Sequence, residues 1–307
     1  MSHHNKRKKQ TLSLSKKWSG FIVGIFIFIF LYPSYRVGGW FDSDKINPFG
    51  SHPDIPPKIR ILIVPGHEPQ SGGTHYHDLM ERDLAVQLGT QVEQLLSNNP
   101  RYEVVMTRDT QGWNPVFEEY FKHNQGDIYS WMQNARHAEI VSVLLGMSHL
   151  PTGTMKHNSV SKDVAMRLYG ITKWANENNI DLMLHIHFDD VARGRTTVPG
   201  KYVGFTLYVP SREYGNSEMS MKIARSLYPY LRTTSDINTA LSTQNPFVED
   251  PRLIAVGANN TSHVASVLIE YGYIYEKRFT DTTIRQETIS TLAQETYDGL
   301  ENYYNKP

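Results

Sequence analysis

From Lys58 onward the chain alternates short, uniformly apolar runs with longer segments in which apolar residues return every three or four positions. Ile59 to Val64 is a β-branched run ended by Pro65-Gly66, which predicts a strand stopping at a turn. Leu84, Leu88, Val92, Leu95 and Leu96 then recur at helical spacing, and Tyr102 to Thr107 predicts a second strand. Val164, Leu168, Ile171 and Ala175 mark another helix, leading into a strand from Asp181 to His187. Gly204 to Val209 predicts a strand, Ile223, Ala224, Leu227 and Leu231 a helix, Val264 to Glu270 an apolar strand, and residues 282–303 a closing helix. Residues 110–160 are polar, with weak periodicity. The alternation predicts an α/β fold over 58–307: a three-layer domain with a mostly parallel central sheet flanked by helices.

The start of the chain has a different pattern. Lys6, Arg7, Lys8, Lys9, Lys16 and Lys17 precede an apolar run from Trp18 to Tyr32, in which Phe21 to Leu31 is nearly all Ile, Phe and Val. A bilayer core takes about 20 apolar residues, so the run is short for a span, although Trp18 and Tyr32 suit its two interfaces. The rival is a cleaved signal peptide, whose apolar region runs about 7–15 residues. After Leu31, however, Tyr-Pro-Ser-Tyr-Arg offers no pair of small residues spaced for cleavage. The expectation is therefore a basic cytoplasmic tail (1–17), a single uncleaved transmembrane anchor (18–32) and a Pro-, Gly- and Ser-rich linker (33–57). The 58–307 domain is then expected in the periplasm or at the outer face of the cytoplasmic membrane.

Composition narrows the chemistry. Lys plus Arg and Asp plus Glu both number 31, so the chain has no electrostatic footprint for nucleic acid. With no cysteine, thiolate metal sites and cysteine nucleophiles are excluded. In a mostly parallel sheet, ligands collect at the carboxyl ends of the strands. The first predicted strand ends in Pro65-Gly66-His67, the third in His185-Ile186-His187-Phe188-Asp189 and the last in Ile269-Glu270. Glu81 lies near the start of the helix after the first strand, on the same edge. Two histidines and a carboxylate are the ligand chemistry of a catalytic zinc site, and a further carboxylate can shuttle protons in a hydrolysis.

Each residue also has an ordinary reading. Asp78 followed three residues later by Glu81 fits a capping box. His67 fits a solvated turn. His185 and His187 point to one face of a strand, where one of the two is structural. Glu270, ending a buried strand, is the hardest to explain without function.

These segments together resemble the zinc-dependent N-acetylmuramoyl-L-alanine amidases of the type 3 family. The resemblance runs through Ile63-Val64-Pro65-Gly66-His67, Glu81-Arg82-Asp83-Leu84, Val104 to Thr110, Ile186-His187-Phe188-Asp189 and Val267 to Tyr273, and spans roughly 59–300. Gly204 to Tyr208 sits where that family has a strand. The resemblance implies one zinc ion per chain held by His67, Glu81 and His187, selecting His187 over His185, with Glu270 as the catalytic acid/base. It implies peptidoglycan as substrate and the amide between N-acetylmuramic acid and L-alanine as the bond cut. A zinc carboxypeptidase-like enzyme on the same scaffold, and a metal-free wall-binding module, are the alternatives. This chain has Glu68-Pro69 where the family usually continues with Gly, His185 where Ser is typical, and Ile274-Tyr275-Glu276 where Ser-Asn often follows. It also carries a longer segment at 111–162, where Val116, Phe117, Tyr120 and Phe121 have helical spacing. Such an insertion reads as a substrate-shaping or decorative loop, or as a cover moved by a protein activator. His123, His137, His149 and His157 within it lack ligand spacing and are expected at the surface.

Overall fold

In the computed structural model, residues 57–147, 160–250, 253–256 and 264–305 are described. The tail and anchor expected at 1–32, and the linker expected at 33–57 except for Pro57, lie outside them. The elements in chain order are β1 (Ile59–Pro65), β2 (His75–Tyr76), β3 (Leu79–Met80), α1 (Glu81–Ser97), β4 (Tyr102–Met106), α2 (Pro115–His123), α3 (Gln125–Leu144) and α4 (Lys162–Glu177). They continue with β5 (Leu182–Asp189), β6 (Thr206–Pro210), α5 (Ser217–Leu231), β7 (Phe247–Asp250), β8 (Ala265–Tyr273), α6 (Lys277–Thr280) and α7 (Thr282–Tyr304). Among the described residues no helix is long and apolar enough to cross a membrane.

Six strands form one sheet in the order β4-β1-β5-β8-β6-β7, and β2 pairs with β3 in a separate hairpin. Neighbours pair in parallel except β6 with β8, so β6 and β7 run against the other four strands. Both faces are covered, which is why the strands read as continuous apolar runs. Strand alternation sorts the side chains. Ile61 and Ile63 of β1, Leu184 and Ile186 of β5, and Val267 and Ile269 of β8 pack against α1, α5 and α7. Leu62, Val64 and Met183 turn the other way, onto Ile171 and Trp174 of α4 and Phe117 of α2. The three-layer expectation holds.

The sequence was least informative at 110–160, where α2 and α3 stand. Ile128, Met132 and Ala135 of α3 pack on Ala165 and Tyr169 of α4, but Ile140, Val141 and Leu144 further along the same helix are exposed. A 20-residue helix that buries a stripe along only its first half has no sustained period to detect. His123 and His137 are exposed, and His149 and His157 lie outside the described residues.

Candidate active site

The α4 face of the sheet stays apolar until its carboxyl-terminal edge, where alternation delivers His185 and His187 from β5 and Glu270 from β8. His187 and Glu270 are register partners across the parallel pair. β1 reaches the same edge and turns sharply: the Gly66 amide donates to the Ile186 carbonyl (2.8 Å), and His67 follows with φ 65°. That left-handed conformation is uncommon for a residue with a side chain and is imposed by its surroundings. The Arg108 guanidinium, buried behind the turn, donates to the carbonyls of Gly66, His67 (2.9 Å) and Arg82 (3.1 Å). Burial pushes Arg108 down to about 10, which leaves it cationic at neutral pH. The arginine of the Thr107-Arg108-Asp109 segment therefore works as a bracket beneath His67.

Glu81 opens α1. The residue before it, Met80, makes no side-chain cap, so the capping-box reading of Asp78 and Glu81 is not what the helix uses. The carboxylate points into the site instead. Its Oε2 lies 2.6 Å from His67 Nε2 and its Oε1 3.0 Å from His187 Nδ1. Each oxygen also accepts a backbone amide, Oε2 from Thr74 (3.1 Å) and Oε1 from Phe188 (3.2 Å). Burial alone pushes the Glu81 carboxyl up. The charge of His67 and hydrogen bonds with His187 and His67 outweigh burial and hold it well below the usual carboxylate range. Two glycines make room for this packing. A Cβ on Gly66 would lie 2.6 Å from the His187 ring, and one on Gly73 (φ 68°) 2.4 Å from His67 and 2.6 Å from Glu81.

The donor atoms of His67, Glu81 and His187 all lie within 4.8 Å of one another. Two imidazoles and one carboxylate, each from a different element and converging on one point, fit a zinc ion with a further position open to water. Glu270 is 5% exposed, and its Oε2 has no hydrogen-bond partner among the described residues. Burial, then the charges of Asp189 and Glu81, push its carboxyl well above the ordinary value. A carboxyl that keeps its proton beside a metal-ligand set is equipped as a general acid. His185, two residues before His187, is buried and both its ring nitrogens lack partners. Burial first, and then His187, push its imidazole down to about 3. His67, His187 and Glu270 from the strand ends and Glu81 from the start of α1 thus share one edge, and His185 lies deeper.

Residues 151–302 match the profile of the N-acetylmuramoyl-L-alanine amidase family. The chain belongs to this family. No curated protein matches it in sequence. Solved amidase structures are similar in fold. The apo N-acetylmuramyl-L-alanine amidase of Mycobacterium abscessus is 15% identical, with a TM-score of 0.53 over 81% of this chain and 100% of that one. The CwlD amidase of Clostridioides difficile, solved with the GerS lipoprotein, is 13% identical, with a TM-score of 0.51 over 80% and 98%. The segment matched by the family profile contains His187 and Glu270. His67 and Glu81 precede it, so their membership of the site rests on the geometry above.

The places where this amidase departs from the family pattern have structural uses. Glu68 accepts both Nε and Nη2 of Arg167 at 2.6 Å, tying the His67 loop to α4. Glu276 accepts the amides of Tyr273 (2.7 Å) and Gly204 (3.0 Å) and pairs with Arg278 (2.9 Å), closing the turn after β8. Sequence reasoning missed the support around Thr74. Its hydroxyl donates to Asp190, whose carboxylate takes Nε (2.8 Å) and Nη2 (2.6 Å) of Arg193. That guanidinium lies over the rings of Tyr76 and Tyr275. The doublet Asp189-Asp190 was the available signal. Of the 111–162 insertion, Trp113 and Val160 are the described residues that line the site's cavity. α2 and α3 pack on α4 instead of over the metal ligands.

Proposed function

We propose that this amidase hydrolyses the amide between N-acetylmuramic acid and L-alanine in peptidoglycan, with one zinc ion held by His67, Glu81 and His187. The observation that carries the reading is the convergence of that residue set on one sheet edge, in register with a buried Glu270 whose carboxyl is pushed well above its ordinary value by burial. Zinc in such a site supplies Lewis-acid chemistry, polarising an amide carbonyl and lowering the pKa of water. The rest falls to the chain. The Thr74 and Phe188 amides fix the Glu81 carboxylate, and Arg108 fixes the backbone behind His67. Glu270 gives its proton to the departing amine and recovers one from water.

The basic tail and apolar run at 1–32 support placement at the cell envelope. There a single-pass anchor would hold the catalyst near an immobile, polymeric substrate. The CwlD amidase was solved with a lipoprotein, which supports a protein partner for this chain too, with α2 and α3 of the insertion as its contact.

Metal analysis and muropeptide digestion on the same samples test the central claim. Wild type is expected to carry one zinc per chain and to release stem peptides beginning with L-alanine. His187→Ala should lose the metal, and Glu270→Gln should keep it while losing activity by about two to four orders of magnitude. Wild type without zinc would sink the metal assignment. Products cut inside the peptide would give the site to the carboxypeptidase alternative.

A further inference from the structure

The cavity at the site, about 370 Å³ in volume, extends past the metal ligands and runs inward between the sheet and α4. On the sheet side its outermost rung holds His187 and Glu270. Two residues deeper, roughly 6.5 Å along the strands, the next rung on the same face holds Val64, His185 and Leu268 in register. The chain beyond β4 adds Thr107 to that rung. Met106 pairs with Ile63, and the Thr107 amide donates to the Ile63 carbonyl (3.0 Å), so Thr107 stands beside Val64 on the cavity face. Val164, Leu168 and Ile171 of α4 close this inner chamber from the other side.

Thr107 and His185 are the anomalies in that chamber. They are 0% and 2% exposed and both line the cavity. Neither the Thr107 hydroxyl nor either His185 ring nitrogen has a hydrogen-bond partner among the described residues. Burying a polar group without a hydrogen bond is strongly unfavourable, and native proteins rarely leave one so. A hydroxyl and a neutral imidazole each offer a donor and an acceptor. Two such orphans on one rung of one cavity call for a polar occupant. No charged side chain stands in the rung itself, so an ion placed there would lie without a counter-charge. The group that answers both residues is neutral and carries a donor and an acceptor of its own.

Spacing narrows the group further. β1 lies between β4 and β5, so Thr107 and His185 are two strands, or about 10 Å, apart across Val64. A planar secondary amide laid over Val64, its carbonyl toward one residue and its N–H toward the other, spans that gap with two hydrogen bonds of about 2.9 Å. Position decides which amide. On the reading given above, the leaving amine lies at Glu270 of β8. The acyl side of the scissile bond then points away from β8, toward β1 and β4, where Thr107 stands. Six covalent bonds separate the muramoyl carbonyl carbon from the carbonyl carbon of the sugar's 2-acetamido group. Six bonds, the length of two extended residues, reach about 7 Å, which matches the depth of the rung below the catalytic edge. We propose that the inner chamber is a subsite for the acetamido group of N-acetylmuramic acid, held between Thr107 and His185 with its methyl group toward the apolar wall of α4. The inference rests on the amidase reading for its substrate; the two orphaned side chains stand without it.

Two measurements separate the two claims. The first compares kcat/KM for muramoyl-L-alanyl substrates bearing either the natural 2-acetamido group or a 2-acetoxy group, which keeps the carbonyl and the methyl but lacks the N–H. Wild type is expected to favour the acetamide by about tenfold or more. That ratio should fall toward one in whichever of Thr107→Val and His185→Leu removes the acceptor of the N–H. A merely structural loss lowers both substrates alike and leaves the ratio where it was. The second measurement titrates N-acetylmuramic acid, and separately L-alanyl-D-isoglutamine, into the full wild-type chain. It follows the 15N signals of the His185 ring and magnetisation transfer from the acetyl methyl to Leu168. The sugar is expected to move the ring signals and to touch Leu168, and the peptide to do neither. Hydrolysis with a wild-type ratio near one, or a ratio unchanged in both variants, would overturn the subsite while leaving the amidase intact. Ring signals that move with the peptide alone would give the chamber to the other side of the bond, and signals that move with neither would leave it to water; either overturns the proposal. Sugar seated against Leu168 without hydrolysis of any muramoyl amide would keep the subsite and overturn the reaction assigned to it.

Discussion

Single atoms decide the order of the site. Gly73 lies where a methyl group would collide with both His67 and Glu81, at a backbone φ that side chains avoid. Gly73→Ala is therefore expected to weaken zinc binding by about tenfold or more while the far-ultraviolet spectrum stays native; undiminished affinity in a competition titration would show that the cradle is not tight. Local sequence could not assign Glu81, because a carboxylate three residues after Asp78 satisfies the pattern of a cap as well as that of a ligand. Only the fold shows both oxygens turned to imidazoles. His185 and His187 were equivalent on their strand, and depth in the sheet separates them. The buried pair His185 and Glu270 should also leave opposite marks on stability in chelator-treated protein. Below about pH 6.5 an unfolded histidine gains a proton that folded His185 refuses, so its contribution falls as pH drops, by up to about 1.4 kcal/mol per unit. Folded Glu270 keeps a proton that the unfolded chain releases above its ordinary value of 4.5, so its contribution falls as pH rises. Denaturant midpoints between pH 4.5 and 6.5 read this directly. Relative to wild type, His185→Gln should gain stability toward acid and Glu270→Gln toward neutrality; a flat difference for His185→Gln would contradict a buried neutral ring.

Elements were legible to the extent that they were buried in a regular way. The strands of the parallel core, covered on both faces, announced themselves as apolar runs, and each predicted boundary fell within a few residues of the observed one. α3 did not, because its second half carries Ile140, Val141 and Leu144 to the surface. The reversal of β6 and β7 was equally invisible, since strand direction follows from where the chain returns and not from any residue in the strand. Packing between helices carries its own demand. Gly299 of α7 lets that helix approach α5 so closely that a Cβ would lie 2.8 Å from the Leu227 Cα, backbone that cannot swing aside. The Ser226 hydroxyl bonds the Gly299 carbonyl at 2.9 Å across the same contact. Gly299→Ala should lower stability by about 1–3 kcal/mol through overpacking. The contact lies on the sheet face opposite the site, so zinc stoichiometry should stay at the wild-type value. Unchanged thermal unfolding would mean that the helices separate without penalty.

At the scale of the whole domain, the site is also a joint. His67 follows β1, Glu81 begins α1 and His187 lies in β5, so a metal held by all three fastens elements that the chain visits far apart. An unfolded chain cannot present that set, so metal binding is linked to folding by mass action. At a free zinc concentration of about 100 times Kd the native state gains about 2.7 kcal/mol. For a domain of this size each kcal/mol moves the midpoint by about 2–4 °C, so chelation should lower Tm by about 5–10 °C. The same experiment sorts the residues by role. Glu270→Gln should keep the full shift, because its carboxyl is kept for the proton and not for the metal. His187→Ala should start near the chelated wild-type midpoint and respond little to zinc. A wild-type Tm indifferent to chelator in protein shown to contain zinc would mean that the ion is bound without drawing β1, α1 and β5 together. The three-element ligand set would then have to be abandoned, even if catalysis survived.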